Sequence, residues 1–145
     1  MATWLEFCGL AGAFGGKQVG EKAWMFEVEG SGPDRTQKVF VFHEVMPPDF
    51  EFLQFKSAYP MIEAVNSEQV LKESGQLVVG SIGYSPRFDA VGNAFDGFLN
   101  LSTSVPLAAL DLSEPVPVFL YLNILAQAAD NLEQRLSGSE ASDFF

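Results

Sequence analysis

The sequence predicts an α+β domain in which a five-stranded, mainly antiparallel sheet packs against helices in the order α-β-β-β-α-β-β-α. Three observations support this class. A chain of 145 residues suits one domain with one core. Its first half holds several short apolar runs between strong turn signals. Its last third joins a β-like run, Ala94 to Val105, to a long amphipathic helix that begins after Ser113.

The N-terminal elements begin with a short helix predicted over Thr3 to Phe14. Its apolar residues have helical spacing, and Gly15-Gly16 suits the end of a helix. The polar stretch from Lys17 to Lys22 is predicted to be a loop. After this loop, the simplest interpretation is a meander of three antiparallel strands, from Ala23 to Glu29, Gln37 to Met46 and Phe50 to Tyr59.

The second strand of this meander alternates, but both of its faces are apolar over most of their length. Successive side chains of a strand point to opposite faces of the sheet. Four residues therefore point one way and the other four the opposite way: Val39, Val41, His43 and Val45 against Phe40, Phe42, Glu44 and Met46.

The second half is predicted to add a weak helix near Met61 to Ser74, a fourth strand from Gln76 to Tyr84, and a loop from Ser85 to Asn93. The fifth strand, Ala94 to Val105, precedes a helix that runs to about Leu136. The helix carries one apolar stripe able to cover a sheet: Leu122, Leu125, Ala129, Leu132 and Leu136. We therefore predict a single domain over residues 1–136 and an acidic tail over residues 137–145.

Composition narrows the function classes. The formal net charge of -11 disfavours nucleic acid and anionic membrane surfaces as partners. A single cysteine allows no intrachain disulfide. With no basic leader and no apolar run of membrane-spanning length, the expected location is the cytoplasm. Phe supplies 14 of the aromatic residues, which is either a Phe-rich core or a sign of an apolar surface patch.

The sequence predicts no catalytic centre, cofactor or metal. The segment from Ala11 to Gln18 resembles a phosphate-binding loop only superficially, because it lacks the first Gly, the final Ser or Thr and a preceding strand. His43 and Cys8 are the only histidine and the only cysteine, too few for a zinc site of Cys and His ligands. His43 is interpreted as structural, and Cys8 as a small buried apolar group.

The order of elements resembles that of type III secretion chaperones and of the YbjN-like family of bacterial proteins. The residues that carry the resemblance are Trp24 to Gly30 as first strand, Phe98 to Leu107 as last strand with a Val-Pro-Leu exit, and Ser113 to Leu136 as closing helix. The segments Phe50 to Phe55 and Leu77 to Gly83 are also similar in sequence to segments of uncharacterised cyanobacterial members. The resemblance implies a chaperone-like topology. It supplies no catalytic residues.

Two functions are left open. YbjN-like members are described as regulators of sensory transduction, and type III chaperones are acidic homodimers that hold effectors on apolar surfaces. The first hypothesis is accordingly a non-enzymatic protein-binding or chaperone-like module, expected to be a homodimer, that binds a partner or client protein through Phe40, Phe42, Phe52 and Phe55. The alternative is a small-molecule sensor or enzyme with a pocket lined by His43, Tyr84, Arg87 and Asp89.

Overall fold

A computed structural model describes residues 2–29, 36–60, 68, 72–73, 75, 77, 80–88, 91 and 94–137, and for residues 58–60, 84–88, 94–99 and 136–137 it describes the backbone alone. Within this part of the chain, six strands form one sheet in the order β1-β2-β3-β4-β6-β5, and every neighbouring pair is antiparallel. The strands are β1 Lys17–Gly20, β2 Ala23–Glu29, β3 Thr36–Met46, β4 Phe50–Pro60, β5 Ser81–Phe88 and β6 Ala94–Pro106.

Two α-helices have a backbone that is described along their whole length. Helix α1 runs over Trp4–Ala13, and helix α2 over Val116–Ser137. Thr3 caps α1 in a reciprocal arrangement, since its hydroxyl accepts from the Glu6 backbone N–H while the Glu6 carboxylate accepts from the Thr3 backbone N–H. Gly15, with a φ of 88°, lies just after the helix end and turns the chain into β1.

Both helices lie on one face of the sheet, here called the inner face. It is formed by the buried odd-numbered residues of β3 and β4, such as Val39, Val41 and Phe55, and by the even-numbered residues of β2. Against it α2 buries Val118 and four residues of the predicted stripe, Leu122, Leu125, Ala129 and Leu132, while the side chain of Leu136 lies outside the described residues. Phe7 and Ala11 of α1 complete the same core cluster. The described part of the chain therefore forms two layers, with its core on one side of the sheet.

Aromatic contacts join the two helices to the inner face. Phe55 stacks on Tyr121 of α2 with ring centroids 5.6 Å apart, and Phe26 meets Phe119 edge to face at 6.4 Å. The Trp4 ring of α1 stacks on His43 of β3 at 4.9 Å. Offset or edge contacts at such separations add stabilisation beyond simple area burial.

The predicted α+β class and antiparallel meander are confirmed, but the predicted strand count is wrong. The stretch from Lys17 to Lys22, predicted to be a loop, contains the short edge strand β1, which pairs with β2. All four residues of β1 are exposed, so no apolar alternation could mark it as a strand. The described residues give six strands where the sequence predicted five.

The fourth predicted strand is also displaced. The structure places it over Ser81–Phe88, although the pattern predicted Gln76 to Tyr84. Gly80, with a φ of 78°, lies directly before this strand, and a Cβ there would stand 2.7 Å from the Ser102 carbonyl oxygen of β6. Most of the helix predicted near Met61 to Ser74, and residues 138–145 of the predicted tail, lie outside the described residues.

We predict that Phe55→Ala lowers the free energy of unfolding by about 3–5 kcal/mol, because it leaves a cavity where a fully buried ring contacted α2. Urea denaturation monitored by circular dichroism measures the loss. Phe42→Ala, which removes a partly buried ring on the opposite face, is the matched control and should cost clearly less. Equal losses would contradict the assignment of the core to the inner face.

Candidate protein-binding surface

The opposite face of the sheet, here called the outer face, carries a cluster of aromatic side chains outside the core. Phe40 and Phe42 stand two residues apart on β3, and their rings stack with centroids 6.2 Å apart. The strand register places Met25 of β2 and Lys56 of β4 on either side of Phe40. Phe52 of β4 lies opposite Glu44, one diagonal step from Phe42. We call Met25, Phe40, Phe42, Phe52 and Lys56 the outer cluster.

None of the outer cluster belongs to the core formed under the helices. All five side chains are partly buried. They are more exposed than the core residues of the inner face and less exposed than the residues at the hairpin ends. Both fully described helices lie on the inner face. Within the described part of the chain, the outer face of β2 to β4 thus has no helix packed on it, and its rings cover one another only in part.

Lys56 adds a positive charge to this apolar surface. Its ammonium nitrogen lies 5.7 Å from the centroid of the Phe42 ring, within the range of a cation–π contact. Lys38 stands on the same face opposite Glu27, and Lys17 stands opposite Met25. In a chain with a net charge of -11, the centre of this face is apolar with a cation beside it. That combination suits a partner with apolar side chains and a nearby carboxylate.

Phe55, the fourth residue predicted for the binding surface, is misassigned. Its side chain is fully buried on the inner face and stacks on Tyr121. The prediction grouped Phe52 with Phe55, yet residues three apart on a strand point to opposite faces. Phe40, Phe42 and Phe52 do share the outer face.

Two of the four residues predicted to line a small-molecule pocket, His43 and Tyr84, lie far apart in the sheet. By register, the backbones of His43 and Tyr84 are three strand positions apart across the sheet and six residues apart along it, roughly 25 Å in all. The strand that holds Tyr84 also holds Arg87 at its far end, and Asp89 lies outside the described residues. No pocket between sheet and helix can include both His43 and Tyr84.

His43 is held in a structural setting at the inner face. Its ring stacks on Trp4 with the two planes 6° apart, and its Nε2 lies 2.9 Å from Oε1 of Glu51. Cys8, predicted to be buried, is partly buried, and its Sγ accepts a hydrogen bond from the Trp24 indole at 3.4 Å. Both residues join α1 to the sheet.

A buried polar cluster, which the sequence reasoning missed, ties α2 to the sheet. The Gln37 amide nitrogen donates to Glu133 Oε2 at 3.0 Å and to Asp130 Oδ1 at 3.4 Å, while the Ser57 hydroxyl donates to Gln37 Oε1 at 3.2 Å. Both carboxylates and the amide are almost fully buried. The spacing of the two carboxylates, three residues apart on a helix, was the available signal, because it puts both on one side.

Two surface depressions flank the start of α2. One, of about 300 Å³, is lined mainly by apolar groups, including Phe14, Val116, Phe119 and Leu120. The other, of about 490 Å³, lies between Ala2, Glu6 and the segment Leu110–Ser113. In the second, hydrogen bonds from the hydroxyl and the backbone N–H of Ser113 hold the pKa of the Asp111 carboxyl below its ordinary value.

Comparison with known proteins assigns no relatives. No protein family, curated protein or solved structure matches the chain. Among the described residues, no helix is long and apolar enough to cross a lipid bilayer. The same residues contain no group of three or more His, Cys, Asp or Glu side chains placed to hold a metal ion.

We predict that Gln37→Ala lowers the free energy of unfolding by about 1–3 kcal/mol, because it removes the buried amide that donates to both Asp130 and Glu133. Chemical denaturation measures the loss. Thr36→Ala, one residue away on β3 and exposed, is the control and should have a smaller effect. An unchanged midpoint for Gln37→Ala would show that the amide does not hold the helix to the sheet.

We also predict that Ser113→Ala raises the pKa of Asp111, since the hydroxyl donor that favours its charged form is removed. Because the folded-state pKa is lowered, this pair stabilises the fold above the ordinary Asp pKa of 3.8, and the contribution disappears as the pH falls through the folded-state value. A carboxyl NMR titration of the original chain and the variant measures the change. An unaltered Asp111 pKa would contradict the assigned cause.

Proposed function

We propose that the protein is a non-enzymatic protein-binding module that holds a segment of another polypeptide on the outer cluster. The observation that carries the proposal is an aromatic cluster outside the core, on a sheet face against which neither fully described helix packs. Contiguous apolar groups at the surface of a domain are typical of interaction sites.

The kind of partner is inferred from the chemistry of the cluster. Stacked Phe rings and Met25 offer broad apolar contact, and aromatic residues dominate binding energy at protein interfaces. Methionine adapts its shape to different partners. Lys56 offers one cation for a carboxylate of the bound segment. We therefore propose a polypeptide with apolar side chains next to an acidic residue as the ligand.

The structural setting favours binding over catalysis. The residues near the outer cluster are apolar side chains, lysines, glutamates, serines and a glutamine, and the single histidine lies on the inner face. General acid–base or nucleophilic catalysis needs a positioned pair of reactive groups in a shared pocket. The outer face offers a surface instead. A chaperone-like topology of the YbjN-like type remains part of this proposal, supported only by the α+β class, the antiparallel sheet and the closing C-terminal helix.

We predict that Phe42→Asp and Phe52→Asp each reduce partner capture at least about tenfold, because each places a charge where an apolar contact is made. Affinity capture of tagged protein from its native extract, quantified by mass spectrometry, measures this. Leu120→Asp, on the far side of the molecule, is the charge-matched control and should keep the partner.

Urea denaturation checks that each variant still folds. Phe42→Gln is a second variant at this position that removes the ring without adding a charge. Phe55→Asp should unfold the protein, since its ring is fully buried. The proposal would be overturned if the Phe42→Asp and Phe52→Asp variants both fold and both still capture the partner. So would unfolding of Phe42→Gln and Phe52→Asp, which would assign these rings to the core.

A further inference from the structure

The solvent side of α2 has an unusual composition. Its exposed residues fall on one stripe opposite the core, here called the α2 ridge: Val116, Leu120, Asn123, Ile124, Gln127 and Asn131. Val116 is 67% exposed, Leu120 55% and Ile124 37%. Three aliphatic side chains and three amides thus face the solvent, and the first charged residue on this side is Arg135 at the helix end.

This pattern departs from the usual one on the solvent side of the helix. Surface helices carry charged residues on the solvent side and apolar residues toward the core. In α2 the two acidic residues, Asp130 and Glu133, are buried against Gln37, whereas Leu120 and Ile124 are exposed. The chain has 19 acidic residues, and none of them lies on the α2 ridge.

We propose that the α2 ridge is a self-association surface that receives the same ridge of a second copy of this chain. Two copies with a net charge of -11 each repel one another, so they meet most favourably where neither presents a charge. A basic partner would instead favour an acidic surface. Amide side chains can both donate and accept hydrogen bonds, so the amides of two identical ridges can form hydrogen bonds with one another.

The spacing of the ridge fits a symmetric contact. Val116, Leu120 and Ile124 succeed one another at intervals of four residues, which is the ridge used in the commonest helix–helix packing, with axes crossing at about 50°. A twofold axis at Leu120 brings Leu120 against its own copy and Val116 against the Ile124 of the second copy. Such a contact is isologous, as in most homodimers.

The flank of the ridge widens the contact. Phe14, which is 53% exposed, stacks edge to face on Phe119 with centroids 5.5 Å apart and lines the apolar depression beside Val116 and Leu120. One helix ridge with this flank remains near the lower end of interface sizes, below the roughly 1,600 Å² of standard complexes. We accordingly expect a reversible dimer with a dissociation constant in the micromolar range.

The proposed dimer leaves the outer cluster free. The α2 ridge faces away from the sheet on the helix side, while the outer cluster lies on the other side of the sheet. Two copies joined through α2 would present two outer clusters in opposite directions. Self-association and partner binding can therefore be tested independently of one another.

Sedimentation equilibrium of the full chain from about 1 µM to about 1 mM tests the proposal, a span chosen to bracket a micromolar dissociation constant. The weight-average mass should rise from 15.8 kDa toward twice that value. Leu120→Asp and Ile124→Glu should each weaken the dimer about 100-fold or more, because a charge is buried against its own copy. Val19→Asp, an exposed aliphatic position on β1, should dimerise normally.

A disulfide experiment tests the position of the axis. In a Cys8→Ser background, Leu120→Cys should form a disulfide-linked dimer under mild oxidation, whereas Asn131→Cys, about 16 Å along the helix, should not. A monomer throughout the concentration range would overturn the proposal. So would a dimer that withstands both Leu120→Asp and Ile124→Glu, or a disulfide that forms at residue 131 instead of residue 120. Phe42→Asp should lose the partner and keep the dimer, so the two proposals fail separately.

Discussion

Coverage of one side of the sheet by α2 is the interaction on which the rest of this structure depends. The helix buries Val118, Leu122 and Leu125 against the inner face, and the sheet supplies the complementary surface from β2, β3, β4 and β6. Every described strand is antiparallel to its neighbours, so the sheet needs a cover on only one face. Among the described residues, the positions of the core, of the outer face and of the helix ridge all result from that single packing.

The one-sided cover explains why a protein with 14 Phe residues has two aromatic groups with different roles. On the inner face Phe26 and Phe55 contact α2 and belong to the core. On the outer face Phe40 and Phe42 stack on one another, away from the core. Phe26 and Phe55 thus belong to the core while Phe40 and Phe42 lie outside it, and the alternation of side chains along each strand decides to which group each of these rings belongs.

The polar contacts of α2 complement its apolar packing. Gln37 and Ser57 lie among apolar neighbours on the inner face and fix the C-terminal half of the helix through Asp130 and Glu133. A hydrogen-bonded group tolerates only a narrow range of positions, so this cluster determines how α2 is rotated and how far it slides along the sheet. That rotation points Leu120 and Ile124 outward and makes the ridge available to a second copy.

The sequence by itself determined the elements whose signals are local. Turn residues and alternation predicted β2, β3 and β4 almost to the residue, and the three-and-four spacing of leucines predicted α2 and its buried side. Alternation also separated Val39 and Val41 from Phe40 and Phe42, because side chains on a strand alternate whatever the rest of the fold does.

Only the tertiary structure decided what each face meets. β1 became a strand through pairing with β2 despite its polar sequence, and Gly80 next to β6 marks the start of β5. Phe55 entered the core because α2 packs on its face, and His43 and Tyr84 were separated by the strand order. These outcomes depend on contacts between residues far apart in the chain, which no local pattern records, since propensity and periodicity describe a segment and not its neighbours.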